Sequence, residues 1–243
     1  MTESVFYLTV TCYNYELTIK KTNMKRIFIL LNIVLLLISV SVQGQEAKVL
    51  IITNMGKITV KLYDDTPQHR DNFIKLVEEH KYDSIMFHRV IKLFMIQAGE
   101  KYSPSDSINR GKYKEPDYKV PAEIVYPKYF HKRGQLCAAR TGDAENPERA
   151  SSATQFYIVT GKHYTDNELD KMINEKNISL TPEQRETYKT HGGTPHLDGT
   201  YTVFGEVIKG MKVVHKIELV NTDNSNDHPI KDVRIKTMKI LKK

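Results

Sequence analysis

The 243-residue chain is 40% hydrophobic and 27% charged, with 36 basic against 29 acidic residues and a formal net charge of +7. This ordinary globular composition excludes a largely disordered or collagen-like polymer. The basic residues are spread without a dense block or interleaved aromatics, which argues against a nucleic-acid partner, and two cysteines, Cys12 and Cys137, are too few for a disulfide scaffold.

Residues 1–23 carry no usable organisation. Met24-Lys25-Arg26 then opens an apolar run from Ile27 to Val42 that ends among the small residues Ser41 and Gly44, the order of a secretory signal. We expect Met24 to be the true start, 1–23 a mis-assigned extension, and 24–44 a signal peptide cleaved near Gly44-Gln45. Retention as a membrane anchor is the alternative, but a span needs ~20 apolar residues and this run offers about sixteen, with Asn32 and Ser39 inside it. Cleavage would leave 32 basic against 27 acidic residues, a net +5, and Cys137 as the sole thiol.

Past Gln45, Val49, Ile51 and Thr53 alternate with Leu50 and Ile52; after the turn Asn54-Met55-Gly56, Ile58, Val60 and Leu62 alternate with Thr59, Lys61 and Tyr63. That pattern predicts a hairpin. Thr66-Pro67 supplies an N-cap and a proline in the first turn of a helix over 67–80, with Phe73, Leu76, Val77 and His80 on its buried face. Residues 101–133 read as a long surface excursion, with strands resuming near Gln135–Ala139 and Gln155–Thr160. Residues 161–193 read as an inserted helical hairpin: Thr165 to Glu168 and Thr181 to Gln184 form capping boxes, and Gly192-Gly193 is a stop. Its stripe of Leu169, Met172 and Ile173 is expected to dock onto the parent domain. Tyr201–Val207 reads as a strand, Met211–Leu219 as a short helix and Val233–Lys236 as a closing strand. Many short strands with two framing helices suggest a closed antiparallel barrel.

The nine histidines are scattered, and His191 and His196, five apart, have no cysteine or carboxylate cluster beside them, so no metal site is expected. No Gly-x-Ser-x-Gly elbow or glycine-rich phosphate loop occurs, Ser151 and Ser152 have no evident paired base, and Cys137 sits in an apolar strand pattern as a small buried thiol. The most informative stretch runs from Phe87 to Gly99 and sets Arg89 among apolar residues with Gln97 close behind. A guanidinium stays charged and presents five donors, so it can grip a carbonyl or a lone pair; the alternative is a strand-edge arginine with its head in water.

Arg89, Phe94, Met95 and Gln97, then Gln155-Phe156-Tyr157, Pro195-His196-Leu197-Asp198-Gly199 and Thr202-Val203-Phe204-Gly205 resemble, in order and spacing, the cyclophilin family of peptidyl-prolyl cis-trans isomerases. The resemblance runs from about Val49 to Ile240 outside the insertion and implies a mainly β fold over 47–241. In that family it is a closed eight-stranded antiparallel β-barrel capped by two helices, with the substrate in a groove on the outer wall. It implies Arg89 as catalytic arginine, Gln97 as the glutamine that positions the peptide, and Phe94, Met95, Tyr157 and Leu197 as a proline pocket. Ala139, Arg140 and Thr141 match the strand that pairs with bound peptide, Gln155 a further groove residue, and Tyr201 a position where many members carry histidine. His196 stands where members that bind cyclosporin tightly carry tryptophan, so weak inhibition by that compound is expected.

Lys92-Leu93 replaces a common Pro-Gly turn, Ala98-Gly99-Glu100 a Gly-Gly-Asp pattern, and Tyr157 a phenylalanine whose added hydroxyl needs a partner if buried. Arg140 resembles bacterial exported members, which suits a periplasmic protein. The implied activity needs no cofactor; the expected partners are proline-containing polypeptides that are folding or assembling in the envelope, met by a monomer with no membrane span once the signal is removed. A non-catalytic chaperone or scaffold that holds proline segments is the other reading. Because the insertion falls between Tyr157 and Leu197, its base must lie beside the groove, and its deletion over 162–192 is expected to alter preference among protein substrates while sparing short-peptide turnover.

Overall fold

Alternating apolar and polar residues build the sheet of this computed structural model, which describes residues 47–100, 116–176 and 178–242. The apolar run Ile27–Val42 and the first part of the predicted excursion lie outside those residues. Strands β1 (Lys48–Thr53) and β2 (Gly56–Leu62) form the expected hairpin, paired from Lys48 with Lys61 to Thr53 with Gly56 around the two-residue turn Asn54-Met55. Then follow helix α1 (Pro67–Glu78), β3 (Phe87–Ile91), β4 (Met95–Ala98), β5 (Lys119–Val120), β6 (Gln135–Ala138), β7 (Ser151–Ser152) and β8 (Phe156–Val159). Helices α2 (Asp166–Lys176) and α3 (Pro182–Thr190), a 3-10 turn at Pro195–Leu197, β9 (Val203–Lys209), α4 (Met211–Glu218) and β10 (Ile235–Lys242) complete the order.

Eight strands form one curled antiparallel sheet in the order β10-β1-β2-β9-β6-β8-β4-β3, and β5 pairs with β7 apart from it. The outer strands approach each other at a single bridge, Met86 to Arg234, flanked by Phe87 N–H to Val233 O (2.8 Å) and Ile235 N–H to Ile85 O (2.8 Å). The arrangement is thus a mainly β, curled eight-stranded sheet, with one bridge rather than a ladder where the expected closed barrel would have its seam. Its inner face carries Val49, Ile51, Ile58, Val60, Ile96, Leu136, Phe156, Ile158 and Phe204, each such side chain contributing about 1.5–3 kcal/mol by leaving water. Phe73, Leu76 and Val77 of α1 and Val214 and Ile217 of α4 pack into the same core.

Two local readings of α1 change. Thr66 does not cap it; the Thr66 hydroxyl donates to Tyr63 O, and the Glu123 carboxylate accepts instead from the N–H groups of Gln68 (3.0 Å) and His69 (2.9 Å). His80 is exposed, because the chain leaves the helix at Glu79 and turns left-handed at His80 (φ 55°), while His69 takes the buried place. The predicted strand at 201–207 is shifted to begin at Val203, and the closing strand begins at Ile235 and runs longer.

The insertion is the expected helical pair. Thr165 and Glu168 exchange their capping bonds (2.8 and 3.3 Å), as do Thr181 and Gln184 (2.8 and 3.2 Å). Leu169, Tyr164 and Tyr188 pack with Met172, Leu180 and, from the parent domain, Phe130; Ile173 stays outside this cluster. Gly193 lets the returning chain touch the domain, since a Cβ there would lie 2.3 Å from His131 O.

Candidate active site

Strand register assembles the site. Arg89 of β3 lies opposite Gln97 of β4, Gln97 opposite Tyr157 of β8, and Tyr157 opposite Cys137 of β6. Because side chains alternate between faces, the neighbours Ile96, Ile158 and Leu136 point into the core while this row lies on the outer face with Met95, two residues from Gln97. An outer-face apolar cluster of Met95, Tyr157, Val159, Cys137, Val203 and Ala139, with Phe94, Leu197 and Tyr201 against it, replaces the polar surface such a face would otherwise show.

Within it is a cavity of about 160 Å³ lined by Arg89, Phe94, Met95, Gln97, Ala139, Arg140, Tyr157, Leu197 and Tyr201. Nine of the twelve residues singled out in the sequence therefore surround one hollow. A wider groove of about 640 Å³ shares Gln97, Ala139 and Arg140 and adds Thr141 and Gln155, together with Tyr118, Lys119 and Ser152, which the sequence had not suggested. His196 lines neither; it is exposed and stacks on Phe94, with ring centroids 5.6 Å apart.

The polar groups around the cavity are oriented from outside it. Arg89 Nε donates to Asp227 Oδ2 (3.2 Å), and both side chains are partly exposed, at 43% and 39%. Gln97 Nε2 donates to Gln155 Oε1 (2.9 Å), joining cavity to groove. Arg140 is a strut: its buried guanidinium donates from Nε to Thr200 O (3.0 Å) and from Nη1 to Asp143 Oδ1 (2.7 Å), and lies 4.3 Å from the Tyr201 ring centre. The Tyr157 hydroxyl has its partner in His131 Nε2 (3.1 Å). Burial pushes the Tyr157 phenol and the Cys137 thiol well above their usual ranges, so both keep their protons.

Ser151 does have a base beside it, contrary to the sequence reading. Its hydroxyl lies 2.9 Å from His69 Nε2, and His69 Nδ1 lies 2.7 Å from Glu123 Oε2. A carboxylate only accepts, so Nδ1 carries the proton and Nε2 accepts from Ser151. Burial lowers the His69 pKa against the opposing pull of Glu123. The order matches a hydrolytic triad, but Ser151 and His69 are 1% and 4% exposed, so no substrate reaches the hydroxyl; the group joins the α1 N-terminus to β7. Asp227 and His131 were likewise invisible in the sequence, each being distant in the chain from the residue it serves.

A curled antiparallel sheet with two packed helices and an outer-face apolar cavity edged by arginine and glutamine defines the cyclophilin class. The family model for cyclophilin-type peptidyl-prolyl cis-trans isomerases matches residues 48–240, and the chain belongs to that family of enzymes. A Staphylococcus haemolyticus protein assigned to the peptidyl-prolyl cis-trans isomerases is 32% identical over 205 residues, covering 82% of this chain and 93% of that one. A peptidyl-prolyl cis-trans isomerase-like protein of Rhizopus delemar is 32% identical over 194 residues, covering 79% of this chain and 28% of its own length. Among solved structures, a Cryptosporidium parvum cyclophilin-type isomerase shares 26% identity with a TM-score of 0.58, over 81% of this chain and 98% of that one. A second crystal structure of that Cryptosporidium isomerase was obtained in the presence of the dipeptide Ala-Pro (TM-score 0.56, 79% and 98% coverage).

Proposed function

We propose that this isomerase turns X-Pro bonds in exported or envelope proteins, with the proline ring in the cavity beside Phe94, Met95, Tyr157 and Leu197 and with Arg89 stabilising the twisted imide. The convergence of these five residues on one cavity carries the reading. The signal-like order of residues 24–44 supports export, and a periplasmic address follows from it together with Arg140.

Rotation about an X-Pro bond breaks amide resonance and needs neither a nucleophile nor a proton shuttle. As the carbonyl turns, the imide nitrogen becomes pyramidal and gains a lone pair to which a guanidinium can donate, an interaction absent in the planar ground state. The Arg89–Asp227 pair is partly exposed and worth about 1 kcal/mol or less, so substrate can draw the guanidinium from it. Gln97, tethered to Gln155, holds the flanking peptide where cavity meets groove.

Uncatalysed isomerisation takes tens to hundreds of seconds, and shortening it about a thousandfold requires roughly 4 kcal/mol. One hydrogen bond to a charged group contributes about 1.5–3 kcal/mol; desolvation in the cavity and anchoring of the backbone supply the remainder. Arg89→Ala is therefore expected to slow isomerisation of a short X-Pro peptide by about 10- to 150-fold, followed by exchange NMR, with the circular dichroism spectrum unchanged. Near-normal turnover in the variant would remove Arg89 from the mechanism, and peptide binding without acceleration in the parent protein would reduce the role to holding proline segments.

A further inference from the structure

Tyr188, on α3 of the inserted pair, starts a buried chain of hydrogen bonds that ends in the wall of the cavity. Its hydroxyl donates to Asp198 Oδ2 at 2.6 Å. Asp198 Oδ1 accepts from the His131 backbone N–H (2.8 Å) and from His131 Nδ1 (2.9 Å). With the Nδ1 proton given to the carboxylate, His131 Nε2 accepts from the Tyr157 hydroxyl at 3.1 Å. All four residues are buried. The His131 ring is nearly parallel to that of Tyr157 (13°) and stands edge-on to Tyr201 (85°), so His131 touches both aromatic walls of the cavity. Asp198 directly follows Leu197, a third wall residue.

We propose that Tyr188 is a positioning residue for the cavity: resting on the isomerase reading above, the inserted helices set the angle of the Tyr157 ring through Asp198 and His131. A fully satisfied buried polar chain specifies one geometry, and losing one donor leaves a buried carboxylate oxygen that must find another. Tyr188 is held from elsewhere, packed with Tyr164, Leu169 and Phe130, so the helix pair acts as an anchor for the chain. The insertion is then part of the binding site's frame, and deleting 162–192 is expected to impair short-peptide turnover, in contrast to the expectation drawn from its sequence position.

Tyr188→Phe removes the hydroxyl and keeps the ring. Turnover of an X-Pro tetrapeptide over a range of concentrations, and its Kd, are compared in the parent protein, Tyr188→Phe, Tyr157→Phe and the double variant. Tyr188→Phe is expected to raise KM and Kd about 3- to 10-fold with kcat changed less than about twofold, and to add nothing in the Tyr157→Phe background, since groups within one hydrogen-bond network couple. KM and Kd within about twofold of the parent, or an equal rise in both backgrounds, would overturn the proposal. If circular dichroism shows that Tyr188→Phe does not fold, Asp198→Asn takes its place in the same cycle. If the parent protein binds the peptide without turning it over, the isomerase reading falls and the cycle is decided on Kd alone.

Discussion

Leu93 precedes Phe94 in the turn between β3 and β4 with φ at 59°, a left-handed conformation that costs a residue with a Cβ about 1–2 kcal/mol. Its side chain is 60% exposed, and its N–H donates to Glu218 Oε1 (2.9 Å), which holds the turn in place. This is the position where a common Pro-Gly turn became Lys92-Leu93, and Phe94 still reaches the cavity. Leu93→Gly is expected to raise stability by up to about 1 kcal/mol, the relieved strain exceeding the entropy that glycine adds to the unfolded chain. A lower melting temperature would mean that the Leu93 side chain packs more than its exposure indicates. Residue-level chemistry was legible where it is contiguous: Arg89, Phe94, Met95 and Gln97 fall within nine positions. Their supports were not, because Asp227 lies 138 residues from Arg89 and His131 lies 26 from Tyr157.

Helix α1 gives the same lesson at the scale of an element. Its apolar face was readable from three- and four-residue spacing, but its cap was not, since Glu123 comes from 55 residues downstream of Gln68. Thr66-Pro67 matches a local N-cap signal, and the Thr66 hydroxyl is spent on Tyr63 O instead. Glu123 accepts two N-terminal amides and the His69 ring N–H, and an anion there also meets the positive end of the helix dipole. Glu123→Ala is thus expected to cost about 2–3 kcal/mol, and Thr66→Val, which keeps the shape, less than about 1 kcal/mol. Urea titration of the two variants decides which residue caps the helix; equal losses would return the role to Thr66. The two-residue strands β5 and β7 escaped detection for a related reason: two residues cannot display a period.

Across the whole molecule, residue patterning predicted six strands of the sheet and its two packed helices but not β3 and β4, and the shifted starts of β9 and β10 depend on pairing partners that a strand's own residues do not name. The fold also buries histidines, and their titration couples its stability to pH. His88 is held down to about 4 by burial first, then by the nearby His228 and Arg89 charges. Its Nδ1 has no hydrogen-bond partner among the described residues, and the Glu100 carboxylate, 3.6 Å from Nε2, does not outweigh the burial. Burial lowers the His69 pKa as well. In the unfolded chain both titrate near about 6.5. Between that value and about 4 the unfolded state therefore binds more protons, so stability is complete above the unfolded value and is lost as pH falls through this window. At about 1.4 kcal/mol per pH unit, His88 alone accounts for about 2–3 kcal/mol between pH 7 and pH 4.5, a large share of a typical total of about 5–15 kcal/mol. Urea midpoints across that range are expected to fall, and to fall less in His88→Gln, whose side chain does not titrate; an equal slope in parent and variant would move the proton uptake to other groups.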